Sequence, residues 1–394
     1  MDRTKDPYKL GVASDILLVW RSITDGITNQ TAKTRLRYWQ GWKQYCAQFY
    51  GPTDHYLEKA NSAEKAIMLT AFAARVRTGA FGRGNQVKVS SVSDALAAIT
   101  TSAKLVGKQS PVFETEGEYI LPVKRCLEGF RRNDPASQPQ LAVPSTVPKE
   151  AFEYGQKIGS DKQIAIGCLS VIAFYFLLRV GEYTDPRTVT RRNGETVRAT
   201  RTKQFRVGDI GFFKDRKPLP RDSPLDVLRS ADSVTMRIDN QKNGIRGQTL
   251  HHQTTGHGGA VDALAIRVHH ILSNGGNEDN LICDVYTDKK WSSVTSSEMV
   301  TAVKSSITRL GLDKNNAIPP HLVGSHSLRA GGAMALYLAD VAIEKIRMFG
   351  RWTSDTWMMY IHSQIDKLHD GVANKMCMER EFLNIAFIEP PKAQ

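Results

Sequence analysis

Apolar positions recur at helical spacing between residues 14 and 131. Because residues three or four apart share one face of a helix, this spacing predicts a series of amphipathic helices. The predicted helices are Ser14–Ile23, Thr31–Phe49, Ala63–Val76, Ser93–Leu105 and Glu118–Arg131. In the second of them, the residues expected to share the inner face are Leu36, Trp39, Cys46 and Phe49. The pattern indicates a small helical domain at the amino terminus.

The stretch 134–148 contains four prolines among Ser, Gln and Ala residues. This composition is typical of an extended, semi-rigid linker. We therefore predict a domain boundary there, between a helical domain at 1–133 and a second domain at 149–365.

A change from helical spacing to alternation marks one part of the second domain. Val234, Met236 and Ile238 alternate with polar residues, Asn240–Gly244 has the composition of a turn, and Ile245–His252 is a second extended run. This pattern predicts a β-hairpin with Lys242 at its tip. Helical spacing predicts two helices within Lys149–Leu178 and further helices at Asp262–Leu272, Ser296–Leu310, Ser327–Leu338, Val341–Met348 and Asp355–His362. The predicted fold class is mostly α with a small inserted antiparallel β-sheet.

The charge of the chain points to a polyanionic partner. Its 394 residues correspond to two or three domains at roughly 150 residues each. It carries 53 Lys and Arg against 40 Asp and Glu, a formal net charge of +13 and a pI near 9.5. Such a balance is most often associated with nucleic acid and less often with an anionic membrane surface. The candidate DNA-binding residues in the helical domain and its Gly-rich loop are Arg35, Arg37, Lys43, Arg83 and Lys88.

Several features indicate an intracellular protein, nuclear if the source is eukaryotic and cytoplasmic otherwise. Met1–Trp20 has no apolar stretch typical of a secretory signal, and the longest apolar run, Ile164–Leu178, is short for a membrane span. The five cysteines are scattered without a C-x-x-C pair, as expected for reduced thiols. His251, His252 and His257 have no accompanying cysteine pattern, so no metal site is predicted.

Three groups of residues are candidates for chemistry, although each is common on its own. Arg179 follows the apolar run, where an arginine often compensates the helix dipole. His326 and Arg329 are three residues apart, on one face of the first turn of a predicted helix. Tyr360 lies in a predicted helix, where a tyrosine is ordinarily a packing residue.

The order of these residues resembles the signature of the tyrosine recombinase (phage integrase) family. The matching positions are Arg179 with Glu182, Lys242, His326 with Arg329, Gly350-Arg351-Trp352 and Tyr360. The resemblance covers residues 148–362. It implies a two-domain DNA clamp, with a helical core-binding domain before an integrase-like catalytic domain. Residues 350–355 (Gly-Arg-Trp-Thr-Ser-Asp), followed by Tyr360-Ile361-His362, are similar to the tyrosine recombinases of eukaryotic mobile elements of the Crypton and DIRS type.

The resemblance implies cleavage of DNA by Tyr360 through a 3′-phosphotyrosyl intermediate. Arg179 and Arg329 would stabilise the negative charge that develops on the phosphate, and His326 would accept or orient the tyrosine proton. Lys242 would protonate the departing 5′ oxygen. The resemblance implies no metal ion, no ATP and no other cofactor.

One position departs from the family's pattern. The family has a His or Trp about nine residues before the nucleophile, but here that spacing falls on Arg351, and Trp352 is one residue later. Trp352 is the favoured occupant, with Arg351 the alternative. Glu182 is expected to orient Arg179 or a neighbouring histidine.

The carboxy-terminal tail, residues 366–394, contains an apolar patch at Phe382–Ile388. An exposed patch of this kind needs a cover. By resemblance we expect it to pack on a neighbouring protomer in a homotetramer on two double-stranded DNA sites, with packing on its own domain as the alternative. A type IB topoisomerase and a DNA-binding protein that no longer cleaves are the alternative functions.

Overall fold

The computed structural model describes residues 26–50, 54–82, 84–115, 117–135, 140–186, 188–190, 194–199, 202–238, 247–314 and 317–358. Predictions about the helix at 14–23, Arg83, Lys242, Tyr360 and the tail lie outside these residues. The chain divides into two compact units: residues 1–137 with 187–201, and residues 138–186 with 202–394. We call them the amino-terminal unit and the carboxy-terminal unit. The described helices do not include one long and apolar enough to cross a membrane.

The amino-terminal unit is built mainly from helices. They are α1 (Asn29–Tyr50), α2 (Ser62–Arg77), α3 (Val89–Leu105) and α4 (Leu121–Arg132). Its short antiparallel hairpins are β1 (Phe113–Thr115) with β2 (Glu118–Tyr119), and β3 (Thr188–Thr190) with β4 (Thr196–Arg198). Trp42 and Phe72 meet edge to face in its core, with ring centroids 5.0 Å apart. The prediction that this part of the chain is helical is confirmed for the helices described.

Helix α4 begins later than the sequence pattern predicted. Residues 118–119 form β2, and the helix starts at Leu121 with Pro122 in its first turn. Proline is well tolerated there because the first N–H groups of a helix have no partner within it. The predicted start at Glu118 was therefore wrong.

The inner face of α1 also differs from the prediction. Tyr38, Trp42 and Tyr45 are buried, whereas Leu36 is 50% exposed and Phe49 is 59% exposed. Aromatic residues at i, i+4 and i+7 lie on one side of a helix, and here that side is turned by about one residue from the predicted one. Cys46, which was predicted to be inside, is buried.

Residues 187–201 belong to the amino-terminal unit, although the sequence placed them in the second domain. The side chain of Asn29 at the start of α1 donates to the carbonyl oxygen of Arg198 at 2.8 Å. The backbone N–H of Gln30 donates to Ala199 O at 3.1 Å. These bonds connect the β3–β4 hairpin to α1.

The carboxy-terminal unit surrounds the long apolar helix α6. Its helices are α5 (Thr146–Ile158), α6 (Asp161–Tyr175), α7 (Val180–Tyr183), α8 (Leu225–Arg229), α9 (Ala260–Ser273), α10 (Ser296–Arg309), α11 (Ser327–Leu338) and α12 (Ile343–Gly350). Its strands are β5 (Ile210–Lys214), β6 (Lys217–Leu219), β7 (Ser233–Ile238), β8 (Gln248–Gln253), β9 (Asp284–Thr287) and β10 (Lys290–Ser293). The mostly helical fold class with inserted antiparallel sheets is confirmed.

The predicted hairpin strands are present as β7 and β8. They pair antiparallel in a four-stranded sheet of order β6-β5-β7-β8. Val234, Met236 and Ile238 are fully buried, as their alternation predicted. The hairpin tip at 239–246 lies outside the described residues.

Much of the predicted linker is packed rather than extended through solvent. Asp134 accepts hydrogen bonds from Arg77 and from the N–H of Val89, within the amino-terminal unit. Residues 140–148 belong to the carboxy-terminal unit, where Val143 and Val147 are buried. Apolar residues among the prolines supply this packing, which a composition argument overlooked.

Candidate active site

Arg179 and Glu182 face each other across the first turn of α7. The backbone N–H of Arg179 donates to Glu182 Oε2 at 2.9 Å, and its Nη1 donates to Glu182 Oε1 at 3.2 Å. The Arg179 side chain is 20% exposed and that of Glu182 is fully buried. The carboxylate therefore holds both the backbone and the guanidinium of Arg179.

Arg351 meets the same carboxylate from the end of α12. Its Nη2 donates to Glu182 Oε2 at 3.1 Å, and neither side chain is exposed. The backbone of Arg351 is left-handed, with φ 57°, so the side chain leaves the end of the helix toward the interior. Burial lowers the pKa of Arg351 from its ordinary value, an effect that Glu182 opposes and Arg179 reinforces.

The carbonyl oxygen of Leu177 joins Arg351 to Arg329. It accepts from Arg351 Nη2 at 3.0 Å and from Arg329 Nη1. Leu177 has φ 48°, a conformation that L-residues seldom adopt, and it lies between the end of α6 and Arg179. The three guanidinium groups of this cluster are therefore connected through two shared acceptors, Glu182 and Leu177 O.

Arg329 is held on several sides. It is 2% exposed, and its Nη2 donates to Gly350 O at 2.5 Å. The ring of Trp352 lies against the guanidinium, with 4.3 Å between Arg329 Cζ and the ring centroid. A cation held over an indole is attracted by the negative face of the ring. Trp352 and Arg351 thus both reach this cluster, Trp352 through Arg329 and Arg351 through Glu182.

Glycines let α11 approach the end of α6. A Cβ at Gly332 would lie 2.3 Å from Leu177 Cδ2 and 2.3 Å from Phe174 O. Real Cβ atoms do not approach other atoms so closely, so any other residue would force the helices apart. Since Arg329 is one turn earlier on α11, this close packing brings its guanidinium to Leu177 O.

His326 precedes α11 and is exposed. Its backbone N–H donates to the side-chain oxygen of Gln140 at 2.8 Å. The side chain of Arg179 is partly exposed and His326 is exposed, whereas Arg329 and Arg351 are buried. Of these four side chains, those of Arg179 and His326 are therefore the ones that solvent reaches.

The cluster is strongly cationic. Arg179, Arg329 and Arg351 together with Glu182 carry a formal charge of +2, three guanidinium groups less one carboxylate. Guanidinium groups remain protonated and offer forked donors that match phosphate oxygens. The arrangement suits stabilisation of a phosphate-like anion.

Sequence reasoning missed two members of this arrangement, Leu177 O and Gln140. A backbone carbonyl has no signature in a sequence, and Gln140 lies in a stretch that was interpreted as linker. Tyr360 and Lys242, the expected nucleophile and acid, remain predictions because they lie outside the described ranges.

The candidate DNA-binding residues of the amino-terminal unit differ in exposure. Arg37 and Lys88 are exposed, whereas Arg35 and Lys43 are half-buried. Arg37 lies over the ring of Tyr38, with Cζ 4.7 Å from its centroid. Of the four candidates that the structure describes, Arg37 and Lys88 are thus the most accessible to a ligand.

The three histidines named in the sequence analysis have different surroundings. His252 packs among aromatic rings, 4.6 Å from the ring centroid of Phe176, while His257 Nδ1 is 3.1 Å from Asp262 Oδ2. His251 is exposed on β8. Within the described parts of the chain, no group of three His, Cys, Asp or Glu side chains is arranged to hold a metal ion.

Comparison with known proteins gives similarities among solved structures. No family model and no curated protein matches the chain. A XerH site-specific recombinase bound to palindromic difH substrate, in a post-cleavage complex, is 14% identical over 88% of this chain and 98% of its own, with a TM-score of 0.47. The Tn1549 transposon integrase in complex with transposon right end DNA is 10% identical over 89% and 93%, with a TM-score of 0.45.

XerA recombinase is 12% identical over 88% of this chain and 98% of its own, with a TM-score of 0.34. These structures are recombinases and an integrase, the kind of protein that the sequence motifs resemble. Their TM-scores are below 0.5, so the candidate site is defined by the side chains of this chain alone.

Proposed function

We propose that the protein is a site-specific DNA recombinase or integrase. It cleaves and rejoins DNA through a covalent 3′-phosphotyrosyl intermediate and a four-way junction, without metal or ATP. The observation that carries this proposal is the cluster of three arginines around Glu182 and Leu177 O. Such a fixed set of cationic donors is what a phosphoryl-transfer site without a metal ion needs.

In the proposed cleavage step, the Tyr360 oxygen attacks the scissile phosphorus and the bond from phosphorus to the 5′ oxygen breaks. His326 accepts the phenol proton, and Lys242 gives a proton to the departing 5′ oxygen. One phosphoester replaces another of similar energy, so the reaction consumes no nucleotide. Attack by a 5′ hydroxyl of a second duplex reverses the step and joins the two strands.

The arginines divide the electrostatic work in this proposal. Arg179 contacts the non-bridging oxygens, because it is the guanidinium of the cluster that solvent reaches. Arg329 and Arg351 supply positive charge from the interior, where a lower dielectric strengthens their effect. Glu182 keeps Arg179 and Arg351 in place without cancelling the net charge of the cluster.

A trapping assay tests this function. Duplexes carrying the DNA that borders the coding region, nicked so that the 5′ product diffuses away, are incubated with the protein in EDTA. We expect an SDS-resistant adduct that protease removes and that Tyr360→Phe abolishes. Tyr286→Phe, on the surface hairpin of β9, serves as the matched control and keeps the adduct.

The products separate this function from its alternatives. Strands joined between two duplexes that share a specific site support recombination, and direct repeats bordering the gene would support a mobile-element origin. Relaxation of any supercoiled plasmid by a monomer would indicate a topoisomerase instead. Absence of an adduct on every bordering sequence would contradict cleavage and leave a DNA-binding protein.

A further inference from the structure

Gln140–Val143, the segment that enters the carboxy-terminal unit, runs along the loop that carries His326. The N–H of Leu141 donates to Leu322 O at 2.9 Å, and the N–H of Val143 donates to Ser327 O at 3.4 Å. A Cβ on Gly331 would lie 2.1 Å from the carbonyl oxygen of Val143, so the glycine allows this segment to pack closely. This segment is therefore fastened to both sides of His326.

Gln140 contacts the backbone of the proposed catalytic histidine. Its Oε1 accepts the backbone N–H of His326 at 2.8 Å. Its carboxamide also fills the space beside Gly324, where a Cβ would lie 2.4 Å from Gln140 Nε2. The glycine thus leaves room for the Gln140 amide, which supports the loop from the 140–143 segment.

The backbone conformation at His326 explains why its hydrogen bond to Gln140 affects the order of the turn before α11. His326 is the residue before α11, with φ −100° and ψ −7°, and its own side chain makes no capping bond. Amides at the start of a helix lack partners within the helix, so outside acceptors determine how well the turn is ordered. Arg329 is on the first turn of the same helix, so the His326 backbone and the Arg329 side chain share this support.

We infer that Gln140 is a positioning residue for the His326-x-x-Arg329 box. It holds the backbone of His326, and a displacement of residues 140–143 is thereby transmitted to the residue that handles the tyrosine proton. This inference rests on the proposed function for its catalytic consequence. Its structural part, the ordering of the 324–327 loop, is independent of any reaction with DNA.

Amide hydrogen exchange of the free, full-length protein tests the structural part. In Gln140→Ala we expect the His326 amide to exchange about tenfold faster, the factor that corresponds to one hydrogen bond of ordinary strength. Gln140→Glu keeps an acceptor oxygen and restores protection. Gln156→Ala, an exposed glutamine on α5, is the control and leaves the rate unchanged. Equal exchange in Gln140→Ala and the unaltered protein would overturn the inference.

Single-turnover cleavage of the nicked duplex tests the catalytic part. A displacement of about 1 Å at a reacting group lowers rates by roughly 100-fold, so a fall of about 10- to 100-fold is expected in Gln140→Ala at saturating DNA. The dissociation constant for DNA should stay within about twofold, because the hydrogen bond that is lost involves the backbone amide of His326 and not its side chain. An unchanged rate, or a loss explained wholly by weaker DNA binding, would overturn the positioning role.

Gly324→Ala approaches the same contact from the other side. The added methyl group collides with the Gln140 carboxamide, so this variant alone should reproduce the slower cleavage and the faster exchange. In a Gln140→Ala background the collision is absent, and Gly324→Ala should have little further effect. Additive losses in the double variant would contradict the shared contact. A wild-type protein that forms no adduct would refute the proposed function, whereas the exchange result alone decides the structural part.

Discussion

Glu182 and Arg351 form an ion pair in which neither side chain has solvent exposure, with Oε2 and Nη2 separated by 3.1 Å. An ion pair removed from water is maintained only where its charges are also hydrogen bonded. Glu182 meets this condition through Arg179, and Arg351 through Leu177 O. The pair therefore ties the end of α12 to the first turn of α7.

Neutralising Glu182 should destabilise the fold strongly. In Glu182→Gln, the buried Arg351 charge loses its counterion and the neighbouring Arg179 repels it, so we expect a loss of about 3–5 kcal/mol in the free energy of unfolding. Urea unfolding measures this loss. Glu153→Gln, at an exposed glutamate on α5, should change it by less than about 0.5 kcal/mol. A loss equally small in Glu182→Gln would show that the pair is unimportant.

The close approach of α11 to α6 depends on Gly332. In Gly332→Ala the new methyl group meets Phe174 O and Leu177, which should cost about 1–3 kcal/mol and move Arg329 away from Leu177 O. Thermal unfolding and the adduct assay measure the two effects. Gly129→Ala on α4 is the control, since its Cβ meets nothing within 4 Å. If Gly332→Ala is as stable and active as the control, the packing argument is wrong.

Arg329 should not tolerate lysine. A lysine ammonium cannot donate along the two guanidinium directions that reach Leu177 O and Gly350 O, nor lie flat on Trp352. For Arg329→Lys we expect adduct formation at saturating DNA to fall by about 100-fold. Arg347→Lys, whose parent arginine is partly exposed on α12, should retain the normal rate. Comparable rates in both variants would remove Arg329 from the proposed site.

The spacing of apolar residues correctly predicted helices and strands whose position depends on residues close together in the sequence. The helix predicted at Ser327–Leu338 is observed with those bounds, and the alternation at residues 234–238 marks a strand with its apolar residues buried. In both cases the spacing of apolar residues matches the side that packs on the core. The phase of α1 was mispredicted, because Leu36 and Phe49 are apolar but exposed.

Features that depend on distant parts of the chain were beyond such reasoning. The sequence order of Arg179, Arg329 and Arg351 suggested a common site, but not that Leu177 O and Glu182 connect them. Nor did the prolines of the 134–148 stretch show that Gln140 contacts the His326 backbone. These contacts arise when separate helices pack, and no local spacing encodes them.

The basic residues of the amino-terminal unit should contribute to DNA affinity through phosphate contacts. Arg37 and Lys88 are exposed, so Arg37→Ala and Lys88→Ala should each reduce the slope of log affinity against log salt by about 0.9. Titrations of duplex DNA at several salt concentrations measure the slope. Lys59→Ala changes an exposed lysine outside the predicted set and should leave it unaltered. A slope that responds equally to all three substitutions would indicate a general charge effect.

The stability of the carboxy-terminal unit should decrease in mild acid because of His270. Burial lowers the pKa of this histidine from 6.5 to about 4, with Arg267 reinforcing the shift and Asp161 opposing it. Consistently, the N–H of Tyr286 donates to His270 Nε2 at 3.1 Å, which requires that nitrogen to be unprotonated.

Between these two pKa values the unfolded chain binds a proton that the folded protein does not, so acid favours unfolding. The contribution of His270 is therefore complete above pH 6.5 and is lost as the pH falls toward 4, with a total of a few kcal/mol at most. Urea unfolding at pH 7.5, 6, 5 and 4 tests this prediction by comparing the unaltered protein with His270→Gln. The variant should lack this part of the pH dependence, whereas His251→Gln, at an exposed position on β8, should retain it. Parallel curves for the unaltered protein and His270→Gln would show that another group is responsible for the acid sensitivity.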